Sequence, residues 1–206
     1  MLPRENERVN TPLSAEIAAA AARLVVEEGM EYGPAKRKAA RQFGQRTPRA
    51  MALPDNDAVE DEVRAYLELF HADTQPAELA ALRALAAKWM ERLAEFRPHL
   101  TGAVWRGTAT RLSNIHLELF CDDSKAAEIA LVNQAIDYEV ASRRGPRGRD
   151  IDLLVLSSPC PTLGEPVTVC LSVLDHDDLR GALRPDARGR AGRGDLQALR
   201  RLLDAS

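Results

Sequence analysis

No apolar stretch in this chain approaches the ~18 consecutive residues that a membrane-spanning helix needs. The opening, Met1-Leu2-Pro3-Arg4-Glu5-Asn6, leads into charge, so no secretory leader is expected. Cysteine is scarce: Cys121, Cys160 and Cys170 are odd in number and lack metal-type Cys-x-x-Cys spacing. They read as free thiols of a reducing compartment, which predicts a cytoplasmic protein without structural zinc. A Gly-Lys-Ser/Thr loop to cradle ATP is missing, as are internal repeats. With 28 basic against 31 acidic residues and a net charge of −3, the chain lacks the overall signature of a polyanion binder.

What is present describes a globular protein. At 206 residues, 45% hydrophobic and 29% charged, the chain can build one or two domains with a real core. Its charges are unevenly placed. Lys36, Arg37, Lys38, Arg41, Arg46 and Arg49 occur with no acid among them. Arg143, Arg144, Arg147 and Arg149 form a second cluster. Arg180, Arg184, Arg188, Arg190, Arg193, Arg200 and Arg201 form a third, diluted by Asp186, Asp195 and Asp204. Such runs read first as solvated faces, since Lys and Arg are mostly exposed.

Periodicity divides the chain. Thr11-Pro12 caps a helix with Leu13, Ile17, Leu24 and Val25 at helical spacing, and Gly29 ends it. Gly33-Pro34 restarts a helix that stops at Gly44, and a turn-rich link runs from Arg46 to Pro54. Asp57 with Glu60 reads as a capping box for a third helix with Val59, Val63, Tyr66, Leu67 and Phe70 on its apolar stripe. A fourth follows Thr74 with Leu79, Leu82, Trp89, Leu93 and Phe96, and closes at Pro98.

Beyond Pro98 the period becomes two. Ile115, Leu117 and Leu119 alternate with His116 and Glu118, predicting a half-buried strand. A short helix capped by Asp123-Ser124 runs through Ala135. Further strands are expected around Ile136–Val140, Ile151–Ser157 and Val167–Val173, with a hairpin turn from Arg143 to Arg149. The Gly/Arg-rich stretch after Gly181 reads as loose, with a small helix from Asp195 to Leu203. The expected class is α+β, with a helical region over 1–98, an α+β domain over 99–180 and a tail over 181–206.

The segment Gly102 to Leu117 reads Gly-Ala-Val-Trp-Arg-Gly-Thr-Ala-Thr-Arg-Leu-Ser-Asn-Ile-His-Leu. It resembles the signature of small nucleotidyltransferases of the polymerase-β superfamily. There, Gly-Ser, Arg-Gly, five residues and Ser-Asp-x-Asp-Leu mark the site. Gly102, Arg106, Gly107, Ser113 and Leu117 match with the five-residue spacer intact. The resemblance implies a mixed β-sheet with flanking helices and a phosphate site at Gly102, Arg106, Gly107, Thr108, Arg111 and Ser113. Glycines let backbone N–H groups approach phosphates. Two aspartates at i and i+2 of a strand, with a third acid from a neighbouring strand, hold two Mg²⁺ for phosphoryl transfer.

The chain departs from the pattern where the chemistry sits. Ala103 replaces the serine, and Asn114 and His116 replace the aspartates. Thr168 stands where the third acid is expected, with Asp152 and Glu165 as rivals. Asn114, His116 and Glu118 remain catalytic candidates, and His116, Glu118 and Asp152 metal candidates, with Mg²⁺ or Mn²⁺ implied only if the protein is an enzyme. The expectation is a degenerate, non-catalytic nucleotidyltransferase-like protein binding a nucleotide, RNA or a protein partner. The alternative is a divergent active enzyme with an unusual metal site.

Other features carry less. The first two helices resemble those of TetR-type DNA-binding domains, but Thr47 to Pro54 places two prolines where a recognition helix would start, so DNA is not the expected partner. As a whole the chain resembles a group of uncharacterised proteobacterial proteins, some labelled UDP-N-acetylmuramate–alanine ligase, a chemistry for which it lacks the ATP loop. His176 among Asp175, Asp177 and Asp178 reads as a solvated acidic turn, and Trp105 as a seal on the sheet.

Overall fold

The computed structural model describes residues 12–44, 53–145, 148–179, 183, 185–186 and 188–205. The Thr11 cap, the link over 46–52 with Arg46 and Arg49, and Arg147, Arg180, Gly181 and Arg184 lie outside the described residues. The chain divides into two compact units, Met1–Ala72 and Asp73–Ser206.

In the first unit, α1 (Pro12–Glu28), α2 (Tyr32–Gln42) and α3 (Asn56–Phe70) share one core. Ile17, Val25, Val59 and Val63 fill it, and Ala21, Ala35, Ala39 and Ala40, all fully buried, form its narrow seams. Asp55 caps α3 by accepting a hydrogen bond from the Ala58 N–H at 2.7 Å, so the cap expected at Asp57 falls two residues earlier. Phe70, expected on the apolar stripe, is 61% exposed. Part of the basic face of α2 is engaged within the unit. Lys36 donates to the Pro54 carbonyl (3.0 Å) and to Asn56 Oδ1 (2.8 Å), and Lys38 pairs with Glu28.

The second unit is α+β. Its six-stranded sheet consists of β1 (His99–Thr101), β2 (Ile115–Phe120), β3 (Glu139–Arg144), β4 (Asp150–Cys160), β5 (Glu165–Leu174) and β6 (Arg193–Gly194), in the order β3-β4-β5-β2-β1-β6. The β2–β5 pair is parallel and the others antiparallel, so the sheet is mixed. α4 (Gln75–Arg92), α6 (Ser124–Asn133) and α7 (Leu196–Asp204) contribute to its core, and α5 (Gly102–Arg106) joins β1 towards β2.

Strand alternation determines the two faces. Ile115, Leu117 and Leu119 of β2 share a core with Leu154 and Leu156 of β4, Val169, Leu171 and Val173 of β5, and Leu82, Leu85, Trp89 and Met90 of α4. The Trp89 indole N–H donates to Ser158 Oγ at 2.9 Å inside this layer. The opposite face carries His116 and Glu118 of β2, Thr101 and His99 of β1, Cys170 and Ser172 of β5, and Leu153 and Val155 of β4, as the register places them side by side.

Three expectations change. The division falls at Ala72/Asp73 instead of at 98, because α4 buries its stripe against the sheet. Part of the stretch expected to be loose is a strand, while the helix expected from Asp195 forms. Arg193–Gly194 pairs with β1, and α7, capped by Asp195 accepting from the Ala198 N–H, buries Leu199. Arg143 and Arg144 belong to β3, not to the turn, which leaves the strand only after Arg144. Cys121, Cys160 and Cys170 are free thiols. Among the described residues no helix is long and apolar enough to cross a membrane.

Candidate functional site

The motif folds as a strand, a glycine turn, a short helix, a loop and a second strand. Gly102 opens α5 with φ +71°, a conformation that disfavours any residue with a Cβ. A Cβ there would stand 3.4 Å from Cδ2 of His116, so the turn lies against the imidazole. Thr101 pairs with His116 across β1 and β2. Asn114 sits one step before the paired span of β2, in line with Thr168 of β5, and His116 is beside Cys170. Asn114 and His116 are partly exposed and Thr168 exposed, so the face opens at this end. Towards Glu118 and Ser172, 7% and 3% exposed, it closes.

The loop after α5 belongs to the scaffold. Gly107 ends α5 with φ +81°, and its open side faces Arg83 and Leu79 of α4. Arg83, 8% exposed, donates through Nε to the Val104 carbonyl (3.2 Å) and through a terminal nitrogen to the Trp105 carbonyl (3.4 Å). It thereby satisfies carbonyls that the end of α5 leaves over. Burial lowers its pKa from the ordinary guanidinium value. Gln75 donates to the carbonyls of Gly107 (3.2 Å) and Ala109 (2.9 Å). Thr108 is buried, and Ser113 Oγ accepts from the Thr110 N–H at 3.0 Å. The Arg111 N–H donates to Glu78, and its guanidinium donates to Glu165 at 2.8 Å.

The phosphate set expected from the motif is therefore dispersed. Gly102 lines the polar face beside His116, whereas Gly107 lies against α4, Thr108 is buried, Ser113 closes its own loop onto Thr110 and Arg111 is engaged by Glu165. Arg106 is half-buried at the end of α5. Trp105 acts as a seal: its indole N–H donates to the Ala191 carbonyl at 2.7 Å, and its ring lies against Gly194, where a Cβ would come within 2.1 Å.

The resemblance implies two magnesium ions, and the donors present do not fit them. Magnesium asks for hard oxygen ligands in near-octahedral array. The positions that should supply them hold an amide, an imidazole and, on β5, a hydroxyl and a thiol. Glu118, the carboxylate next to His116 on this face, receives a hydrogen bond from Arg193 and faces Arg143 at 3.6 Å. Asp152 is on the other face of the sheet, 4.0 Å from Lys125 of α6. Among the described residues no three His, Cys, Asp or Glu side chains are grouped to hold a metal ion. His176 and its neighbours do not form a wholly solvated turn either, since Asp178 is 6% exposed and pairs with Arg149.

Hollows of about 320 and 360 Å³ open along α6, away from His116, with no cationic side chain among the residues that line them. The chemically informative groups that periodicity overlooked are Arg83, Arg143 and Arg193. The latter two belong to basic clusters visible in the sequence, whereas nothing local marks Arg83.

No family model matches the chain, and no curated protein matches it in sequence. Solved structures with some likeness include Cid1 in complex with the UTP analogue UMPNPP (15% identity, 55% of this chain and 36% of that chain, TM-score 0.36). Cid1 with its short product ApU is similar at 16% identity over 57% of this chain and 37% of that chain, TM-score 0.37. A cytoplasmic RNA terminal U-transferase gives 17% identity over 55% and 36%, TM-score 0.35. The chain spans little more than a third of the length of these structures.

Proposed function

We propose that this protein is a nucleotidyltransferase-like binding protein that takes up a nucleotide, or the nucleotide end of an RNA, without transferring it. One observation carries the reading. The Gly102 turn lies against His116 on the polar face beside β5, Asn114 precedes His116 by two positions on the same strand, and none of the aligned positions carries a carboxylate, which supports this reading. A glycine turn lets an anion approach backbone N–H groups closely. Without acids to hold Mg²⁺, the charge that develops in phosphoryl transfer has no stabiliser of the usual kind.

Calorimetry of the full chain with ATP, GTP, CTP and UTP, in EDTA and then in Mg²⁺ or Mn²⁺, tests this. Binding that survives EDTA and weakens in Gly102→Val, whose side chain would press on His116, is the expected result. Radiolabel transfer to RNA that requires metal and vanishes in His116→Ala would overturn the non-catalytic part. Failure to bind any of the four nucleotides would overturn the reading and direct attention to a protein partner.

A further inference from the structure

Glu118 lies in the middle of the polar face, 7% exposed, yet three charged groups meet there. Arg193 reaches it from β6 at one edge of the sheet and hydrogen-bonds one carboxylate oxygen. Arg143 reaches the other oxygen, at 3.6 Å, from β3 at the opposite edge. These arginines come from two separate basic clusters and close over the polar face of the sheet. Two guanidiniums against one carboxylate leave a surplus positive charge. Moreover, Nε of Arg193 is buried and lacks a hydrogen-bond acceptor. A guanidinium fork used on one side only is poorly satisfied by a single carboxylate, whereas a tetrahedral polyanion can accept from both sides of the fork.

We propose that Arg143 and Arg193 form a polyphosphate subsite whose resting occupant is the Glu118 carboxylate, and that the phosphates of a bound nucleotide displace it. This rests on the nucleotide-binding reading and gives it a ligand class: a nucleoside polyphosphate held by arginine in place of metal. Polyphosphate suits the geometry because consecutive anionic groups can engage two guanidiniums arriving from opposite sheet edges. Glu118 then acts as an internal competitor. It keeps the arginines over the face when no ligand is bound, and it lowers affinity for weak monoanions.

The test is calorimetry in EDTA with tripolyphosphate, the four nucleoside triphosphates and the four nucleosides. It uses the full-length wild type and Arg143→Gln, Arg193→Gln and Glu118→Gln, each checked by circular dichroism and melting. Arg143 is 42% exposed in its side chain, so its variant keeps the test sound if substitution at the more buried positions harms folding. The expected result is a tenfold or greater loss of tripolyphosphate affinity in both arginine variants and a severalfold gain in Glu118→Gln. Nucleoside triphosphates that bind equally well to wild type and to both arginine variants overturn this inference and leave the nucleotide-binding reading intact. Tripolyphosphate that binds through the arginines while no nucleotide binds better than it supports the subsite and overturns the nucleotide reading. Absence of binding by every probe overturns both.

Discussion

Replacing Arg83 by methionine isolates what α4 does for the motif. The arginine is almost wholly buried, and its two bonds to the Val104 and Trp105 carbonyls help hold the end of α5 to α4. Methionine keeps the length and most of the volume but leaves both carbonyls without that donor. Bonds from a charged donor are worth about 1.5 kcal/mol each at the lower end, appropriate for lengths of 3.2 and 3.4 Å. Methionine recovers part of this because it need not be stripped of water as a cation, the same effect that lowers the Arg83 pKa. A net loss of about 2 kcal/mol remains. For a domain of this size that corresponds to a melting temperature lower by about 8 °C. Both tryptophans of the chain, Trp89 and Trp105, lie in Asp73–Ser206, so intrinsic fluorescence follows that unit alone through a thermal or urea melt. Arg83→Lys, able to reach one carbonyl but not to fork, should fall between wild type and Arg83→Met. An Arg83→Met protein that melts at or above the wild-type temperature would show that burying the charge outweighs the bonds, and the argument would be wrong.

Two further outcomes are expected. Gly194→Ala places a methyl group 2.1 Å from the Trp105 ring, so β6 must shift; overpacking of this kind costs about 1–3 kcal/mol, and Trp105 emission should move to longer wavelength as its ring loses cover. Unchanged emission and midpoint would contradict the seal. The Glu165 carboxyl is held below the ordinary carboxylate range, chiefly by the hydrogen bond from Arg111, with burial opposing and the arginine's charge adding to it. A folded-state value below the unfolded one means that the pair's contribution is complete above the ordinary glutamate pKa and disappears as pH falls through the lowered value. The small stability gap between wild type and Glu165→Gln should therefore be present at neutral pH and close in acid or in 1 M salt; a gap that persists at pH 3 would refute it.

Much of the second unit could be read from local pattern. The two-residue period of Ile115–Leu119 specified which side chains face the core, and the stripe of Leu82, Trp89 and Leu93 specified a buried helix. The helix expected after Asp195 forms there because that aspartate caps it. Where reading failed, a long-range contact had intervened. Glu118 alternates like an exposed residue but is covered by Arg193, 75 positions away. The Gly/Arg composition after Gly181 argues against order, yet Arg193–Gly194 is drawn into the sheet by pairing with β1 and by the Trp105 ring.

By itself, the sequence determined the class of most elements and the residues of the motif: an amide and an imidazole stand at the positions where the signature it resembles has aspartates. Only the tertiary structure decided that α4 belongs with the sheet, that Asp152 is on the far face from His116, and that Glu118 is neutralised by arginines from both sheet edges. The reason is physical. Side-chain period and capping are short-range properties that neighbouring residues encode. The partner of a charge or the face of a distant strand is chosen by packing the whole sheet at once, and no local pattern records it.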